Sequence, residues 1–149
     1  MNRRAYLSGL AATTVASLSG CLSPFDDSTV QLGGVVVGNY LVTPQFLEVS
    51  ILENRTTHYD GELKLQASEA NRVEPRWLDC EWPEDERAFV IEMATEQEEL
   101  QLDLATETEN REEDCFVASI TIGGMVSGLS WSYRACDRVD GLLCDFASE

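Results

Sequence analysis

Apolar and polar residues alternate through most of the chain, and this period of two limits the fold more than any other feature. Leu47, Val49 and Ile51, for example, alternate with Glu48 and Ser50. Successive side chains of a β-strand point to opposite faces of a sheet, so the alternation is typical of half-buried strands. The same pattern recurs at residues 63–65, 89–93, 100–104, 116–122 and 129–133.

Together with the apolar stretch "VQLGGVVVG", these segments predict about seven strands. The acidic stretch "TEQEELQLDLATETE" is included as a strand, because its leucines lie two residues apart and would be scattered around a helix. Many short strands with no helix between them predict an all-β fold, an antiparallel β-sandwich over residues 30–149. The architecture is immunoglobulin-like by analogy only, since Glu113 occupies the position where that topology carries a tyrosine before Cys115.

The first residues follow the plan of an export signal. Arg3 and Arg4 form a basic head, a short apolar stretch follows, and small residues precede Cys21 in "LSGC". An apolar run of about a dozen residues is too short to span the ~30 Å hydrocarbon core of a bilayer. Residues 1–20 are therefore predicted to be a signal peptide; the alternative is a buried signal-like helix with an incidental cysteine.

Two finer patterns in this segment are resemblances. Arg3-Arg4 before an apolar pair resembles a twin-arginine signal, and "LSGC" resembles the lipobox of bacterial and archaeal lipoproteins. The resemblance implies that Cys21 is lipidated and that residues 21–29 link it to the domain. Its partner would be membrane lipid, and the protein would lie on the outer face of the cell membrane.

The charge of the chain is strongly acidic, with 27 Asp and Glu against 10 Lys and Arg and a net charge of −17. Such a charge opposes binding to nucleic acid, whose affinity comes from Lys and Arg. Lys64 is the single lysine. The acidic, lysine-poor composition is similar to that of proteins from extreme halophiles. The whole chain resembles the small twin-arginine-exported lipoproteins of haloarchaea.

The four cysteines that follow Cys21 are predicted to form two disulfides, because the chain is expected to leave the cytosol. Three pairings are open. The segment "ACDRVDGLLCDF" fits a hairpin with the loop 139–141, which would place Cys136 opposite Cys144 and leave Cys80 for Cys115. Zinc is the competing use, but the spacings contain no C-x₂₋₄-C pair.

Residues suited to catalysis are few, and we predict no catalytic residue, no cofactor and no metal. His58 is the only histidine and falls in a predicted turn, and no G-x-S-x-G motif is present. Calcium is the metal considered, because it prefers several oxygen ligands from flexible loops. Its candidate ligands are Asp137, Asp140 and Asp145, or Asp79 and Glu81.

Three further residues are candidates for contacts at the surface. Trp77 and Trp82 flank Cys80 and are interpreted either as a contact surface for sugar or protein or as a cover over the disulfide. The second interpretation is favoured by the sequence, as is a core position for Trp131. Asn54 begins the glycosylation sequon Asn-Arg-Thr.

The sequence as a whole predicts a non-enzymatic module that is anchored by lipid at the cell surface. Its role would be binding or envelope organisation, with an envelope protein or a glycan as the partner. One alternative is an accessory subunit of a membrane transporter or complex, which would expose an apolar patch. Another is a small secreted hydrolase, which would need a buried carboxylate or His58 in a cleft.

Overall fold

The computed structural model describes residues 28–70, 72–141 and 143–147. Arg3, Arg4 and Cys21, on which the predictions of export and lipidation depend, lie outside the described residues. Within the described ranges, no helix is long and apolar enough to cross a membrane.

Two four-stranded sheets pack face to face, which confirms the predicted all-β sandwich. The first sheet has the strand order β4-β1-β7-β8, and the second has the order β3-β2-β5-β6. The strands are β1 (Gln31–Asn39), β2 (Gln45–Glu53), β3 (Thr56–Leu65), β4 (Arg76–Trp77), β5 (Phe89–Ala94), β6 (Glu99–Asp103), β7 (Cys115–Ile122) and β8 (Leu129–Ala135). All pairs are antiparallel except β1 and β7, which run parallel. The two-residue β4 is the strand that periodicity did not reveal, because it is too short to alternate.

The core lies between the sheets and consists of the residues that the alternation selected. Leu47, Val49 and Ile51 of β2 are fully buried, and so are Phe89 and Ile91 of β5. In the first sheet the same layer is formed by Phe116, Ala118 and Ile120, with Leu32, Val35 and Val37. The period of two therefore located the inward face of each strand in which it was found, whereas β1 was predicted from its apolar stretch alone.

The acidic stretch at 95–109 forms a strand over only part of its length, so that prediction was too long. β6 ends at Asp103, and a single helical turn, α1 (Leu104–Glu107), follows. The Asp103 side chain accepts a hydrogen bond from the Thr106 N–H at 3.2 Å, an N-cap that starts the helix. Leu104 stays buried because the turn folds it back against the core.

The predicted hairpin at residues 136–144 is wrong. After β8 the chain enters a 3₁₀ turn at Cys136–Arg138, and the tail then runs beside β1, where the Cys144 N–H donates to the Gly33 carbonyl at 2.8 Å. The sequence argument took Gly141 for the left-handed residue of a tight loop. Gly141 has no positive φ, and it lies against the ring of Trp77 instead.

The disulfide pairing is consequently different from the predicted one, although all four cysteines are bridged. Cys80 joins Cys144, and Cys115 joins Cys136, with Cα separations of 5.8 Å and 5.4 Å. The second bridge follows from register, because Phe116 pairs with Ala135 and the next positions outward are Cys115 and Cys136. In the chain-entropy model such loops stabilise the fold by about 4 and about 3 kcal/mol.

The edge of β1 opposite β7 is covered by segments without regular secondary structure as well as by β4. Trp82 Nε1 donates to the Leu32 carbonyl at 2.7 Å, and the Val30 N–H donates to the Arg87 carbonyl at 3.0 Å. The Cys80–Cys144 bridge ties the residues that follow β4 to the C-terminal tail. The backbone groups of an unpaired strand are thus satisfied without another long strand.

Candidate binding face

The outward surface of the first sheet, here called the outer face of the first sheet, carries no carboxylate on its strands. Register places Trp77, Val36, Ser119 and Ser132 in one row across β4, β1, β7 and β8. The next rows contain Gly38, Thr121 and Ser130 on one side and Gly34, Val117 and Arg134 on the other. Small, hydroxyl and cationic side chains therefore cover a surface that belongs to a protein of net charge −17.

A groove of about 490 Å³ lies on this outer face. This volume falls within the range of roughly 300–1,000 Å³ that is usual for small-molecule sites. The groove is bordered by the 3₁₀ turn and the residues after it, which contribute Arg138, Val139 and Asp140. Its lining from the strands consists of Val36, Trp77, Val117, Ser119, Thr121, Ser132 and Arg134, and Tyr40 closes one end.

Two aromatic rings line the groove, and a glycine makes room for one of them, Trp77. The ring of Tyr40 lies over Gly38 and Gly124, where an added Cβ would stand 3.4 Å and 3.5 Å from ring atoms. Trp77 is half-buried and packs on Gly141, where a Cβ would come within 2.6 Å of its ring. Tyr40 keeps 50 % of its surface exposed. The Trp77 ring is thus packed closely on backbone, whereas the Tyr40 ring makes ordinary contacts with two glycines, and both rings line the groove.

The polar groups of the groove are hydroxyls and guanidinium groups. Thr121 Oγ1 and Ser130 Oγ are 2.6 Å apart and share a hydrogen bond at its border. Arg138 Nη2 is 3.8 Å from Glu113 Oε1, a long ion pair at the surface. In the part of the chain that the structure describes, Arg134 forms no ion pair. Asp140 is the one carboxylate in the lining.

Glu113 sits next to this border, and its surroundings favour the ionised carboxylate. A hydrogen bond from its own backbone, together with the nearby charges of Arg111 and Arg138, holds the pKa of Glu113 below its usual value. Arg111 Nε approaches the carboxylate at 3.4 Å. Arg138 is therefore only partly neutralised by Glu113, because Arg111 is the nearer partner.

The outward surface of the second sheet has the opposite character. Glu48 pairs with Glu62, and Glu92 and Glu99 stand on the neighbouring strands β5 and β6. Asp60 belongs to the same surface and accepts a hydrogen bond from Ser50 at 3.0 Å. The depression on this side is lined by three of these carboxylates. Acidic residues therefore concentrate on one broad surface of the sandwich and are missing from the strands of the other.

A cluster of exposed apolar residues, here called the apolar tip, adjoins the groove. It consists of Tyr40, Leu41 and Val42 from the β1–β2 loop and of Met125 and Val126 from the β7–β8 loop. The Tyr40 N–H donates to the Ile122 carbonyl at 2.9 Å, which joins the two loops. The chain enters β1 at Gln31, and the apolar tip follows the other end of this strand, at Asn39. The nine residues of β1 therefore place the tip about 30 Å from the start of the strand.

Buried Asn39 builds the first of these loops. Its Nδ2 donates to the carbonyls of Thr43 and Gln66 at 2.9 Å and 3.0 Å, and its Oδ1 accepts from the Leu41 N–H at 3.0 Å. Ser68 adds a backbone bond to the Leu41 carbonyl at 2.8 Å. These hydrogen bonds hold the backbone of the β1–β2 loop, while its apolar side chains remain exposed.

The predicted tryptophan pair does not form one contact surface. Trp82 is 4 % exposed, belongs to the core and donates a hydrogen bond to the edge of β1. Trp77 lies in β4 and lines the groove. Trp131 packs against the core and stacks on Tyr133 with ring centroids 6.5 Å apart. Only Trp77 remains as a candidate contact residue.

His58 does not lie in a turn, so this prediction is corrected. The turn is confined to Asn54 and Arg55, with Asn54 in the left-handed region at φ 55°, and β3 begins at Thr56. His58 occupies the bulge where the β2–β3 register shifts. Its Nε2 is 3.4 Å from Glu53 Oε2 but makes no hydrogen bond, and its ring lies 6.3 Å from that of Phe89.

The candidate calcium ligands do not gather into a cluster. Among the described residues, no group of three or more acidic, histidine or cysteine side chains is arranged to hold a metal ion. Asp140 lines the groove, whereas Asp79 and Glu81 are exposed beside Cys80. Asn54 is exposed in its turn, so the sequon is accessible.

Apart from Trp77 and Asp140, the residues of the groove were missed by the sequence analysis, because none belongs to a known motif. A simpler signal was present in the charge pattern. Residues 28–47 and 115–133 contain none of the charged residues of this acidic chain. These two runs supply β1, β7, most of β8 and both loops of the apolar tip.

Comparison with known proteins assigns no function to the groove, so the groove is interpreted from the chemistry of its own residues. No model of a known protein family matches the chain, and no curated protein matches it. A sandwich fold hosts many unrelated functions, so the fold by itself assigns none. The groove and the apolar tip are the features of the described chain from which a function can be argued.

Proposed function

We propose that the protein is a lipid-anchored binding module on the outer face of the cell membrane, without catalytic activity. The outer face of the first sheet is its binding surface. The single observation that carries this proposal is the contrast between a face whose strands carry no carboxylate and a protein of net charge −17. A surface that only had to stay hydrated would have no reason to exclude acids from one side.

The N-terminal pattern and the disulfides support the location. The order of Arg3, Arg4, an apolar stretch and Cys21 is that of a lipoprotein signal. Two disulfides within one small domain are typical of proteins that leave the cytosol. A lipid on Cys21 would contribute about 0.8 kcal/mol for each buried CH₂, so retention requires a long or double chain.

The location is tested by replacing Cys21 with serine. We expect Cys21→Ser to move the protein from the membrane fraction into the medium or to stop its processing, as followed by fractionation and intact mass. Unchanged retention on the membrane, with an unmodified thiol in the parent protein, would contradict the proposal.

The binding surface is tested by adding one negative charge to each side of the sandwich. Ser132→Glu places a carboxylate in the groove, and Gln101→Glu places one on the already acidic second sheet, with both positions exposed. Envelope material that co-purifies with the parent protein from native membranes should be lost with Ser132→Glu and kept with Gln101→Glu. Equal effects of the two substitutions would remove the binding role of the groove.

The apolar tip favours a second candidate function, that of an accessory subunit in a membrane complex. Val42, Met125 and Val126 are each more than half exposed, which is unusual for neighbouring residues of a solitary soluble domain. Met125→Ser combined with Val126→Ser should release a protein partner from the detergent-solubilised complex if this function holds. Release by Ser132→Glu alone would favour the groove.

A further inference from the structure

We propose that the groove binds an acidic glycan, a chain of sugars that carry carboxylate or sulfate groups. The inference rests on the proposed function and names the ligand class of the same surface. Aromatic rings, hydroxyls and guanidinium groups meet in the groove, beside three valines and the single carboxylate of Asp140. The rings, the hydroxyls and the guanidinium groups each match one part of such a sugar.

The aromatic rings suit the apolar face of a sugar ring. Trp77 packs closely on Gly141, so its ring is positioned before any ligand arrives, and half of the Tyr40 surface is exposed for contact. A ring held in this way loses little conformational entropy on binding, and both rings offer a flat apolar surface with a polar edge. Their contribution does not depend on the charge of the sugar. It should therefore be equal for an acidic and for a neutral glycan.

The hydroxyl groups suit the many donors and acceptors of a glycan. Ser119, Thr121 and Ser132 line the groove from adjacent strands. Residues two apart on a strand are separated by about 6.6 Å, and neighbouring strands by about 4.8 Å, so the hydroxyls form a regular array. A hydroxyl both donates and accepts, which allows it to follow either role of a sugar hydroxyl.

The guanidinium groups give the preference for an acidic ligand. Arg134 and Arg138 both line the groove, in a chain with only 10 basic residues. Arg134 makes no ion pair within the described ranges, and the bond from Arg138 to Glu113 is long at 3.8 Å. A planar guanidinium matches carboxylate and sulfate groups through paired hydrogen bonds.

The rest of the surface strengthens this selectivity. The second sheet presents Glu48, Glu62 and Glu92, so an anionic ligand is repelled there and finds cations at the groove. Long-range repulsion by the net charge of −17 weakens in concentrated salt, where the Debye length falls to about 3 Å at 1 M. Short hydrogen bonds to the guanidinium groups persist under the same conditions.

The experiment compares two tetrasaccharides of equal length by calorimetry in about 2 M KCl, where screening is nearly complete. The probes are a tetramer of galacturonic acid and the galactose tetramer obtained by reducing its carboxyl groups. We expect the acidic tetramer to bind at least about tenfold more tightly, because only its carboxylates form charge-assisted hydrogen bonds with the guanidinium groups. Equal binding of the two tetramers, or no binding of either, would overturn the inference.

Variants separate the contributions of charge and of stacking. Arg134→Gln should weaken binding of the acidic tetramer about tenfold and leave the neutral one unchanged, because it removes only the charge. Tyr40→Ala, at an exposed position, should weaken both tetramers by the same factor. Ser132→Glu should abolish binding of the acidic tetramer, and Gln101→Glu should leave it intact. An unchanged affinity in Arg134→Gln would contradict the acidic preference.

Two further outcomes distinguish this inference from the function on which it rests. A tetramer of glutamate that binds as tightly as the galacturonate tetramer would show a general carboxylate site and overturn the glycan assignment. Loss of envelope material with Ser132→Glu, without binding of either tetrasaccharide, would also overturn it. In that last case the groove would still be a binding surface, and the proposed function would stand.

Discussion

The two sheets of this sandwich share a core but differ in how they are assembled and in what they present to solvent. The second sheet contains two local hairpins, β2–β3 and β5–β6, and exposes carboxylates. The first sheet is centred on the parallel pair of β1 and β7, is braced by both disulfides and exposes hydroxyls and cations. The first sheet, which depends on pairing between distant segments, therefore carries the surface that we propose for binding.

The division suggests why the disulfides lie where they do. Non-local strand pairs require long loops to close, and covalent links reduce the entropy that closure costs. Gly33 lies at the centre of this bracing, since an added Cβ would stand 2.8 Å from Cys115 Sγ and closer still to Cys136 Sγ. The face that we propose for binding is built from distant segments, and the two bridges link these segments covalently.

The largest effect is expected from removing the Cys80–Cys144 bridge. Cys80→Ser combined with Cys144→Ser should lower the free energy of unfolding by about 4 kcal/mol, and Cys115→Ser with Cys136→Ser by about 3 kcal/mol. Hydrogen exchange should rise in β1 and stay low in the β2–β3 hairpin. Uniform exchange across both sheets would show that the bracing is not specific to the first.

The next largest effect concerns the edge of β1. Trp82→Phe leaves the Leu32 carbonyl without its 2.7 Å partner in a buried place, which should cost about 1–3 kcal/mol in denaturant unfolding. Trp131→Phe is the control. It makes the same substitution at a tryptophan that packs against the core but is only partly buried. Similar losses in the two variants would mean that the hydrogen bond contributes little.

A smaller effect on stability is expected from the carboxylates of the second sheet. Glu48 and Glu62 stand directly opposite each other, and like charges in such pairs destabilise by about 0.2–1 kcal/mol. Glu48→Gln with Glu62→Gln should raise the melting temperature in about 0.1 M salt and flatten its increase towards about 2 M.

The control for this experiment removes two charges from loops, Glu86→Gln with Glu112→Gln, where both residues are exposed. These substitutions change the net charge equally but touch no cross-strand pair. If both double variants flatten the salt dependence to the same extent, total charge governs it rather than the face.

The smallest effect tests the border of the groove. The lowered pKa of Glu113 means that its contribution to stability is present above the pKa of the unfolded chain and is lost as pH falls through the folded value. Arg138→Gln should raise this pKa slightly in a carboxyl NMR titration. Arg111→Gln should raise it more, because the Arg111 interactions with Glu113 are the stronger ones. The reverse order would show that Arg138 is bound more firmly to Glu113 than the 3.8 Å distance implies.

The sequence predicted the strands better than the contacts between them. Ile91 and Phe116 were assigned to the core by alternation alone, because a strand that buries one face carries an apolar residue at every second position. His58 and the end of β6 were misplaced, because a tight two-residue turn and a side-chain cap act over single residues. Trp77 was singled out, but its partners in the groove lie on strands far away in the chain.

The sequence by itself determined the all-β class, the inward face of each alternating strand, the acidic charge and the presence of two disulfides. Periodicity and composition are local or summed properties, and no folding is needed to read them. Tertiary structure decided the parallel pairing of β1 with β7, the bridges from Cys80 to Cys144 and from Cys115 to Cys136, and the gathering of Tyr40, Trp77 and Arg134 at one groove. Such contacts depend on which segments meet in space, since alternation fixes the face on which a side chain lies but not its neighbour across the sheet.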